Sequence, residues 1–403
     1  MKSLLAIDGG APVRNAAIAP WPFYDQDEIE KTVSILKSGK VNYWTGSETR
    51  QFEEEFAHYH GMRHGIALAN GTLALELALI GYGIGHGDEV ITTCRTFIAS
   101  ASCIVRVGAT PILVDVDLQS QNLLTSEIEK VISPRTKAII AVHLAGWPCD
   151  MDAILEIARK HNLKVIEDCA QSHGAKYKGR FAGSFGDMSA FSFCQDKIIS
   201  TTGEGGMLLL NDTELYEKLW AFKDHGKSFD AVFRRKHPPG FRWLHESFGT
   251  NWRMTEIQGA VGRLQLGKLE GWIQRRRQLA SEITQSIAQI KGLVVHVPDE
   301  TIYHSYYKYY VMVESGCLRP DWNRDRIMAA INAEGVPCFS GSCSEIYLEQ
   351  AFKKAELGPS YRFANAKKLG EDSLMFLVHP NLDSGYAVDL INAVTKVMNV
   401  AVE

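Results

Sequence analysis

Lys197 is a lysine placed where it could act as a nucleophile. It follows Phe191–Phe193, an apolar run typical of a buried strand, and precedes the glycine-rich stretch Gly203–Gly206. A lysine at the end of a buried strand would point into a site, where loss of water lowers the pKa of its amine and prepares it for Schiff-base chemistry. The alternative is a solvated loop lysine, which is the commoner fate of this residue type.

A pair of carboxylates closes another strand-like run. Glu167 and Asp168 end the segment Lys164–Asp168, and Gln171 and His173 follow shortly after. A carboxylate at this place could pair with the protonated ring nitrogen of a pyridoxal cofactor, which keeps the ring electron-withdrawing. Asp168 is the candidate for that role. The alternative is that both carboxylates cap the next helix.

The third segment, Asn70–Gly71–Thr72, joins a strand-like run to a helix-period run. The free backbone N–H groups of a helix N-terminus bind phosphate well. A capped helix start is the simpler explanation of this segment alone, because asparagine and threonine are ordinary capping residues. Lys197 and Asp168 add a nucleophile and a ring partner to this anion site, and the three together indicate pyridoxal-phosphate chemistry.

A parallel sheet would bring these segments together. From about residue 60 to residue 210, short apolar runs alternate with helix-period segments, which is the pattern of βαβ units. Several runs end in polar residues, and open α/β sheets bind ligands at the carboxyl ends of their strands. The predicted strands are Gly65–Asn70, Glu89–Thr93, Thr110–Asp117, Lys137–His143, Lys164–Asp168, Met188–Phe193 and Gly206–Asn211.

The C-terminal part has a different pattern. A long, charged helical segment over 254–288 is expected to bridge the large domain to a small α+β lobe. That lobe contains a strand-like run, Tyr306–Val313, and helices at about 322–334 and 386–399. We therefore predict a large domain over residues 1–260, N-terminal arm included, and a bridging helix with a small domain over residues 261–403.

Composition excludes several classes of function. The chain has 403 residues, 45% of them hydrophobic, with 43 Lys and Arg against 47 Asp and Glu, so no global field draws it to nucleic acid or to a membrane. The eight cysteines form no CxxC pair, which argues against a metal site. No stretch approaches membrane-spanning length, and we expect a cytoplasmic protein.

The motifs resemble those of the DegT/DnrJ/EryC1/StrS family of sugar aminotransferases. The matching segments are Tyr43–Gly46, Asn70–Leu75, Thr96–Ser100, Glu167–Gly174, Phe191–Lys197 with Gly203–Gly206, and Gly249–Gln258. The resemblance implies an α/β fold like that of aspartate aminotransferase (fold type I), with a mostly parallel central sheet and a smaller C-terminal α+β domain. It also implies pyridoxal 5'-phosphate as the cofactor.

The resemblance assigns roles to individual residues. Lys197 would hold the cofactor covalently and act as general acid and base, Asp168 would pair with its ring nitrogen, and Phe97 would stack on its face. Asn251 would reach the phosphate of a neighbouring subunit, which implies a homodimer with shared active sites. The implied cofactor contacts are Gly71, Thr72, Phe97, Asp168, Gln171, Ser192, Lys197 and Asn251.

Substrate contacts are less defined, because the segments Tyr303–Lys308 and Ser340–Tyr347 match the family pattern only loosely. The loop Phe233–Trp243 combines basic and aromatic residues suited to a nucleotide diphosphate, with a solvated surface loop as the alternative. The substrate-binding candidates are Trp44, His173, Arg234, Arg235, Lys236 and Arg242.

The resemblance implies that the amino donor is an amino acid. Glutamate is the expected donor, and glutamine is the alternative. The acceptor is a keto-sugar, most simply a nucleotide-linked 4-keto-6-deoxy sugar used for surface polysaccharide or a glycosylated metabolite. A 3-keto sugar and a keto-cyclitol are alternatives. A cofactor-dependent sugar dehydratase and a non-catalytic sensor are two further alternatives, and the presence of Lys197 argues against the dehydratase.

Overall fold

The computed structural model describes residues 4–236, 240 and 242–403. The helices are α1 (Gln26–Ser38), α2 (Glu48–Tyr59), α3 (Gly71–Gly81), α4 (Ala99–Arg106), α5 (Thr125–Ile128), α6 (Met151–His161), α7 (Thr213–Lys223), α8 (Phe229–Phe233), α9 (Glu256–Ile287), α10 (Arg324–Ala333), α11 (Gln350–Lys354), α12 (Ala364–Asp372) and α13 (Tyr386–Ala401). The strands are β1 (His64–Leu68), β2 (Glu89–Thr93), β3 (Thr110–Val114), β4 (Thr136–Val142), β5 (Lys164–Asp168), β6 (Lys176–Tyr177), β7 (Arg180–Phe181), β8 (Met188–Ser192), β9 (Gly206–Leu210), β10 (Leu293–Val294), β11 (Ile302–Tyr303), β12 (Tyr309–Val313), β13 (Cys338–Phe339) and β14 (Ser373–Phe376).

A large, mostly parallel sheet forms the centre of the molecule. Within the described residues its strand order is β1-β9-β8-β5-β4-β2-β3, and β9 runs antiparallel to both of its neighbours. The pairs β8·β5, β5·β4, β4·β2 and β2·β3 are parallel. Every residue of β2, β8 and β9 is buried, as expected for strands covered on both faces. The α/β fold predicted from the sequence is confirmed.

The long helix α9 connects this sheet to a second sheet. It begins with a capping box in which Thr255 and Gln258 bond each other's backbone N–H groups. Leu269 and Ile273 pack in the core next to the central sheet, whereas Ile283 and Ile287 pack in the C-terminal core. One continuous helix therefore contributes to both cores, and the boundary at residues 260 and 261 stays a prediction.

The C-terminal lobe is a small antiparallel sheet, β10-β12-β14-β13, packed with α10 and α13. This is the predicted α+β arrangement. No helix in the described part of the chain has both the length and the apolar character that crossing a bilayer requires.

The first residues of the N-terminal arm pack against this lobe, and the predicted division that counts the arm with the large domain stays a prediction. Leu5 is buried in the C-terminal core. Glu334 accepts the backbone N–H groups of Ala6 and Val13 at 2.9 and 3.1 Å, and Arg14 pairs with Asp389 at 2.8 Å. An apolar anchor, hydrogen bonds to the buried Glu334 carboxylate and an ion pair with the partly exposed Asp389 fix the arm to the later part of the chain. Local sequence patterns do not reveal these contacts.

Candidate active site

The carboxyl ends of the parallel strands border a cavity of about 680 Å³. Residues far apart in the chain line it, including Tyr307 and Tyr310 from the C-terminal part. Among the sequence-predicted cofactor contacts, the structure brings the following residues to its wall: Gly71, Thr72, Phe97, Asp168, Gln171, Ser192 and Lys197.

Asp168 ends β5 at the base of the cavity and is almost fully buried. The Ser100 hydroxyl donates a hydrogen bond to its Oδ2 at 2.7 Å, and the backbone N–H of Ala170 donates to its Oδ1 at 3.1 Å. Burial raises the pKa of Asp168, while the bond from Ser100 opposes that shift. A cation such as a protonated ring nitrogen is the partner that such a buried carboxylate lacks.

The neighbouring carboxylate, Glu167, points into the protein. Its Oε2 lies 2.9 Å from His143 Nε2, and the backbone N–H groups of Gly183, Phe185 and Gly186 also donate to it. These partners hold the pKa of Glu167 below its usual value despite complete burial. Neither carboxylate caps a helix, so the capping alternative for this pair is wrong. Glu167 anchors the strand end from which Asp168 projects.

Lys197 lies on the loop after β8, with its backbone held on both sides. Its N–H donates to the carbonyl of Cys194 at 3.0 Å, and its carbonyl accepts the indole N–H of Trp21 at 2.8 Å. The amine donates to the Tyr307 hydroxyl at 3.4 Å and lies 3.7 Å from Asp196 Oδ1. Because only 14% of this side chain is exposed, the amine faces the cavity and not bulk solvent, and the solvated-lysine alternative is wrong.

The N-terminus of α3 forms one end of the cavity. Asn70 caps the helix by accepting the N–H of Leu73 at 3.0 Å, so the capping interpretation of this segment is correct, and phosphate binding here stays a prediction. A Cβ on Gly71 would lie 2.6 Å from Ser192 Cβ, and one on Gly206 would lie 2.3 Å from the carbonyl oxygen of Asn70. These glycines let the helix end pack directly against the end of β8, so Gly71, Thr72 and Ser192 lie together on the cavity wall, where N–H groups of a helix N-terminus can bind a phosphate. The fit to pyridoxal phosphate is good.

Phe97 and Gln171 lie on the walls between these ends. Phe97 is 67% exposed and borders the cavity, so its ring is free to cover a flat ligand. Gln171 is buried, and its Oε1 accepts the N–H of Ala145 at 2.9 Å. That bond fixes the amide beside Asp168.

Seven predicted site residues do not line this cavity, and Asn251, Trp44 and His173 are three of them. Asn251 is exposed, and its backbone pairs with that of Asp224 in an isolated antiparallel β-bridge. Trp44 packs edge-on against Trp220, and the Lys227 ammonium lies over its ring at 4.2 Å.

His173, the third of these residues, is a correction to the predicted substrate contacts. It has no exposed surface and packs against Phe191 and Phe193, and burial lowers its pKa to about 3. A ring without exposed surface cannot touch a substrate, so His173 is a core residue.

The basic candidates are also away from this cavity. Arg234 pairs with Glu217 at 2.5 Å, and Arg235 pairs with Asp230 at 2.7 Å and with Glu246. Lys236 and Arg242 are exposed. Residues 237–239 and 241 of the loop Phe233–Trp243, including the Pro238-Pro239 pair, lie outside the described residues.

Sequence reasoning missed several cavity residues. Ser100 was inside a matched motif, and its contact with Asp168 could have been inferred only from the strand order. Tyr307 and Lys308 were inside a segment noted for its loose match. Their position beside Lys197 carries no signal in periodicity or spacing, because a contact across 110 residues is made by the tertiary fold.

Replacing Ser100 with alanine is expected to raise the pKa of Asp168 further. The hydroxyl stabilises the ionised carboxylate, and hydrogen bonds to charged groups contribute about 1.5–3 kcal/mol, so loss of this one should raise the pKa of the carboxyl by a measurable amount. The measurement is a pH titration of the absorbance of bound pyridoxal phosphate. Ser102→Ala on the same helix is the control. A titration unchanged by Ser100→Ala would show that the hydroxyl does not influence this carboxylate.

The comparison with protein families agrees with this geometry. The model of the DegT/DnrJ/EryC1/StrS aminotransferase family matches residues 22–395. The chain belongs to this family. It is accordingly an aminotransferase, and membership in a family of pyridoxal-phosphate enzymes implies that cofactor for the cavity described above.

Individual relatives of this DegT-family protein support the assignment. The crystal structure of an aminotransferase from Psychrobacter cryohalolentis is 52% identical, covers 95% of this chain and 100% of its own, and superposes with a TM-score of 0.93. A GDP-perosamine synthase from Caulobacter vibrioides is 42% identical over 73% of this chain and 76% of its own length. A dTDP-3-amino-3,4,6-trideoxy-alpha-D-glucose transaminase from Streptomyces venezuelae is 35% identical over 90% of this chain and 89% of its own.

Proposed function

We propose that this DegT-family enzyme transfers an amino group from glutamate to a keto-sugar, most simply a nucleotide-linked 4-keto-6-deoxy sugar. The observation that carries the proposal is one cavity lined by a lysine amine, a buried carboxylate and an open helix N-terminus. Each of these groups matches a different part of pyridoxal phosphate. The cytoplasm is the compartment that we propose for the reaction.

Pyridoxal phosphate, when bound, supplies an electron sink that makes the α-proton of an amino acid acidic. Gly71, Thr72 and Ser192 would hold its phosphate, and Asp168 would hold its ring nitrogen in the protonated form. Phe97 would cover the ring and exclude water from one face.

Lys197 has two tasks in this reaction. Its amine anchors the cofactor, and once released it accepts and returns the proton that moves during transfer. The Tyr307 hydroxyl accepts a hydrogen bond from that amine and donates one to Asp196. This chain of bonds holds the free amine at the wall of the cavity.

The acceptor is proposed from two of the relatives. The Caulobacter and Streptomyces proteins are named for nucleotide-linked amino sugars. A 3-keto sugar or a keto-cyclitol remains an alternative acceptor for the same cavity. The presence of Lys197 argues against a dehydratase. A non-catalytic sensor would bind pyridoxal phosphate but would not convert it to the pyridoxamine form when an amino donor is added.

We also propose a homodimer in which Asn251 serves the site of the partner subunit. Three apolar residues, Ile29, Val33 and Leu36, are exposed at helical spacing on α1, and Phe248 is completely exposed close to Asn251. Exposed apolar clusters mark protein interfaces. The position of Asn251 outside the cavity of its own chain is consistent with this arrangement.

Absorbance spectroscopy tests the proposed function. The purified protein with pyridoxal phosphate should show a visible band that excess glutamate converts to the pyridoxamine form. A nucleotide-linked 4-keto-6-deoxy sugar should then restore the band. A band that is indifferent to every amino donor would contradict an aminotransferase, and restoration only by a 3-keto sugar or a keto-cyclitol would replace the proposed acceptor.

Alanine replacement in the basic loop tests the nucleotide part of the substrate. Arg234, Arg235, Lys236 and Arg242 are exposed, and contacts to phosphate are charge-assisted. We expect a joint alanine variant to raise the KM for the nucleotide-sugar roughly 10- to 100-fold with little change in the KM for glutamate. Lys218→Ala, an exposed position on α7, is the control. An unchanged KM for the sugar would exclude this loop from substrate binding.

A further inference from the structure

A second cavity, of about 260 Å³, adjoins the first. Residues 18–21 of the N-terminal arm and residues 377–379 after β14 form two of its walls, and Arg276 of α9 lines it as well. Asp196, Tyr307 and Lys308 line both cavities. A ligand with two functional groups could therefore extend from the amine of Lys197 into this smaller space.

Two cations, Arg276 and Lys308, lie among the mostly apolar residues that line the smaller cavity. The Arg276 side chain is buried, and its Nη1 donates to the carbonyls of Tyr306 and Tyr307 at 3.2 and 3.3 Å rather than to a carboxylate. Its Nε has no hydrogen-bond partner among the described residues. A buried cation without an anionic partner is costly, and no carboxylate among the described residues pairs with Arg276, so a bound anion would stabilise it.

Lys308 is the second cation, whereas His379 is neutral because burial lowers its pKa to about 3. Lys308 has no carboxylate within ion-pair distance in the described part of the chain, and the buried Nδ1 of His379 has no hydrogen-bond partner there. Asp196 is the sole carboxylate among the described lining residues, and it already bonds Tyr307 and lies near Lys197. The cavity thus has more positive charge than its own carboxylate offsets.

The pKa values of Arg276 and Lys308 are both lowered, as expected where nearby anions are few. Burial lowers the pKa of Arg276 to about 9, and burial together with repulsion from Arg276 and Lys197 lowers that of Lys308 to about 8. A bound carboxylate would reverse both shifts, because an opposite charge stabilises the protonated form.

We propose that this cavity binds the side-chain carboxylate of the amino-acid donor between Arg276 and Lys308. The inference rests on the proposed aminotransferase function. A space of about 260 Å³ is below the usual range for ligand pockets of roughly 300–1,000 Å³, so it suits a short acidic side chain and not a nucleoside diphosphate. The surplus positive charge selects glutamate over glutamine, whose amide is neutral.

Calorimetry with glutarate tests the site without requiring turnover. Glutarate carries two carboxylates and no amine, so it reports binding alone. We expect Lys308→Gln to weaken glutarate binding by the holoenzyme roughly 10- to 100-fold, and Lys308→Arg to retain most of it. Lys353→Gln, at an exposed position on α11, should bind like the wild type. Lys308 is the position of choice because it is only half-buried, whereas a change at Arg276 also affects folding.

Donor kinetics provide the second readout. Lys308→Gln should raise the KM for glutamate and leave the KM for glutamine nearly unchanged. Equal glutarate affinity in the wild type and Lys308→Gln, or an equal rise in both KM values, would overturn the proposal. Glutarate binding that depends on Lys308, in a protein that no amino donor converts, would support the anion site and contradict the aminotransferase function.

Discussion

Replacement of Lys197 by alanine should abolish turnover while leaving the fold intact. General acid and base catalysis alone contributes roughly 10²–10⁴-fold, and this variant also loses the covalent anchor of the cofactor, so we expect a larger drop than that. Stability should change little, because the amine makes one long hydrogen bond, 3.4 Å to Tyr307. Lys197→Arg should be equally inactive, since a guanidinium stays protonated and cannot act as a nucleophile.

The spectrum of bound pyridoxal phosphate is the measurement for these variants. Wild type should show the visible band of the lysine-bound cofactor, and Lys197→Ala should not. Lys308 is the other lysine that lines the cavity among the described residues, so Lys308→Gln is the matched control and should keep the band. If Lys308→Gln lost the band and Lys197→Ala kept it, the cofactor would be anchored by Lys308 and the assignment to Lys197 would be wrong.

Asp168→Asn is expected to lower kcat by roughly 10²–10³-fold, the range seen when a charge-stabilising group is removed from an active site. The substitution preserves shape and removes the charge that would keep the ring nitrogen protonated. Two neighbours, Ser100 and Ala170, donate hydrogen bonds to the carboxylate, and one amide oxygen can accept only part of this pattern. A small loss of stability should accompany the loss of rate.

Single-turnover conversion by glutamate separates the two effects. Asp168→Asn should still bind pyridoxal phosphate through Lys197 and convert it slowly. Asp212→Asn is a suitable control, because Asp212 caps α7 far from the cavity and asparagine caps a helix equally well. Wild-type conversion rates in Asp168→Asn would mean that this carboxylate has no electronic role.

The central sheet was readable from the sequence because its strands have a strong local signal. The runs Glu89–Thr93 and Lys164–Asp168 were predicted with the bounds that the structure has, since buried parallel strands are continuous apolar segments between helical ones. The long helix predicted over 254–288 is Glu256–Ile287. In contrast, the attachment of the N-terminal arm to the C-terminal lobe depends on partners more than 300 residues away.

Some residues of the candidate site could likewise be predicted from local sequence, and others could not. Lys197, Asp168 and the turn at Gly71 could be identified from residue type, because each follows a buried strand and parallel strands end at a common edge. His173 was misjudged because a histidine near a strand end has the same local pattern whether it faces the cavity or the core.

The sequence by itself determined the fold class, the family and the cofactor chemistry, since these depend on local periodicity and on short motifs. Only the tertiary structure decided that Ser100 contacts Asp168, that His173 lies in the core, and that Arg276 and Lys308 line one cavity next to that of Lys197. The physical reason is that a binding site consists of side chains that line the same cavity and interact electrostatically with one another. Those relations arise from the packing of distant segments, and no spacing along the chain encodes them.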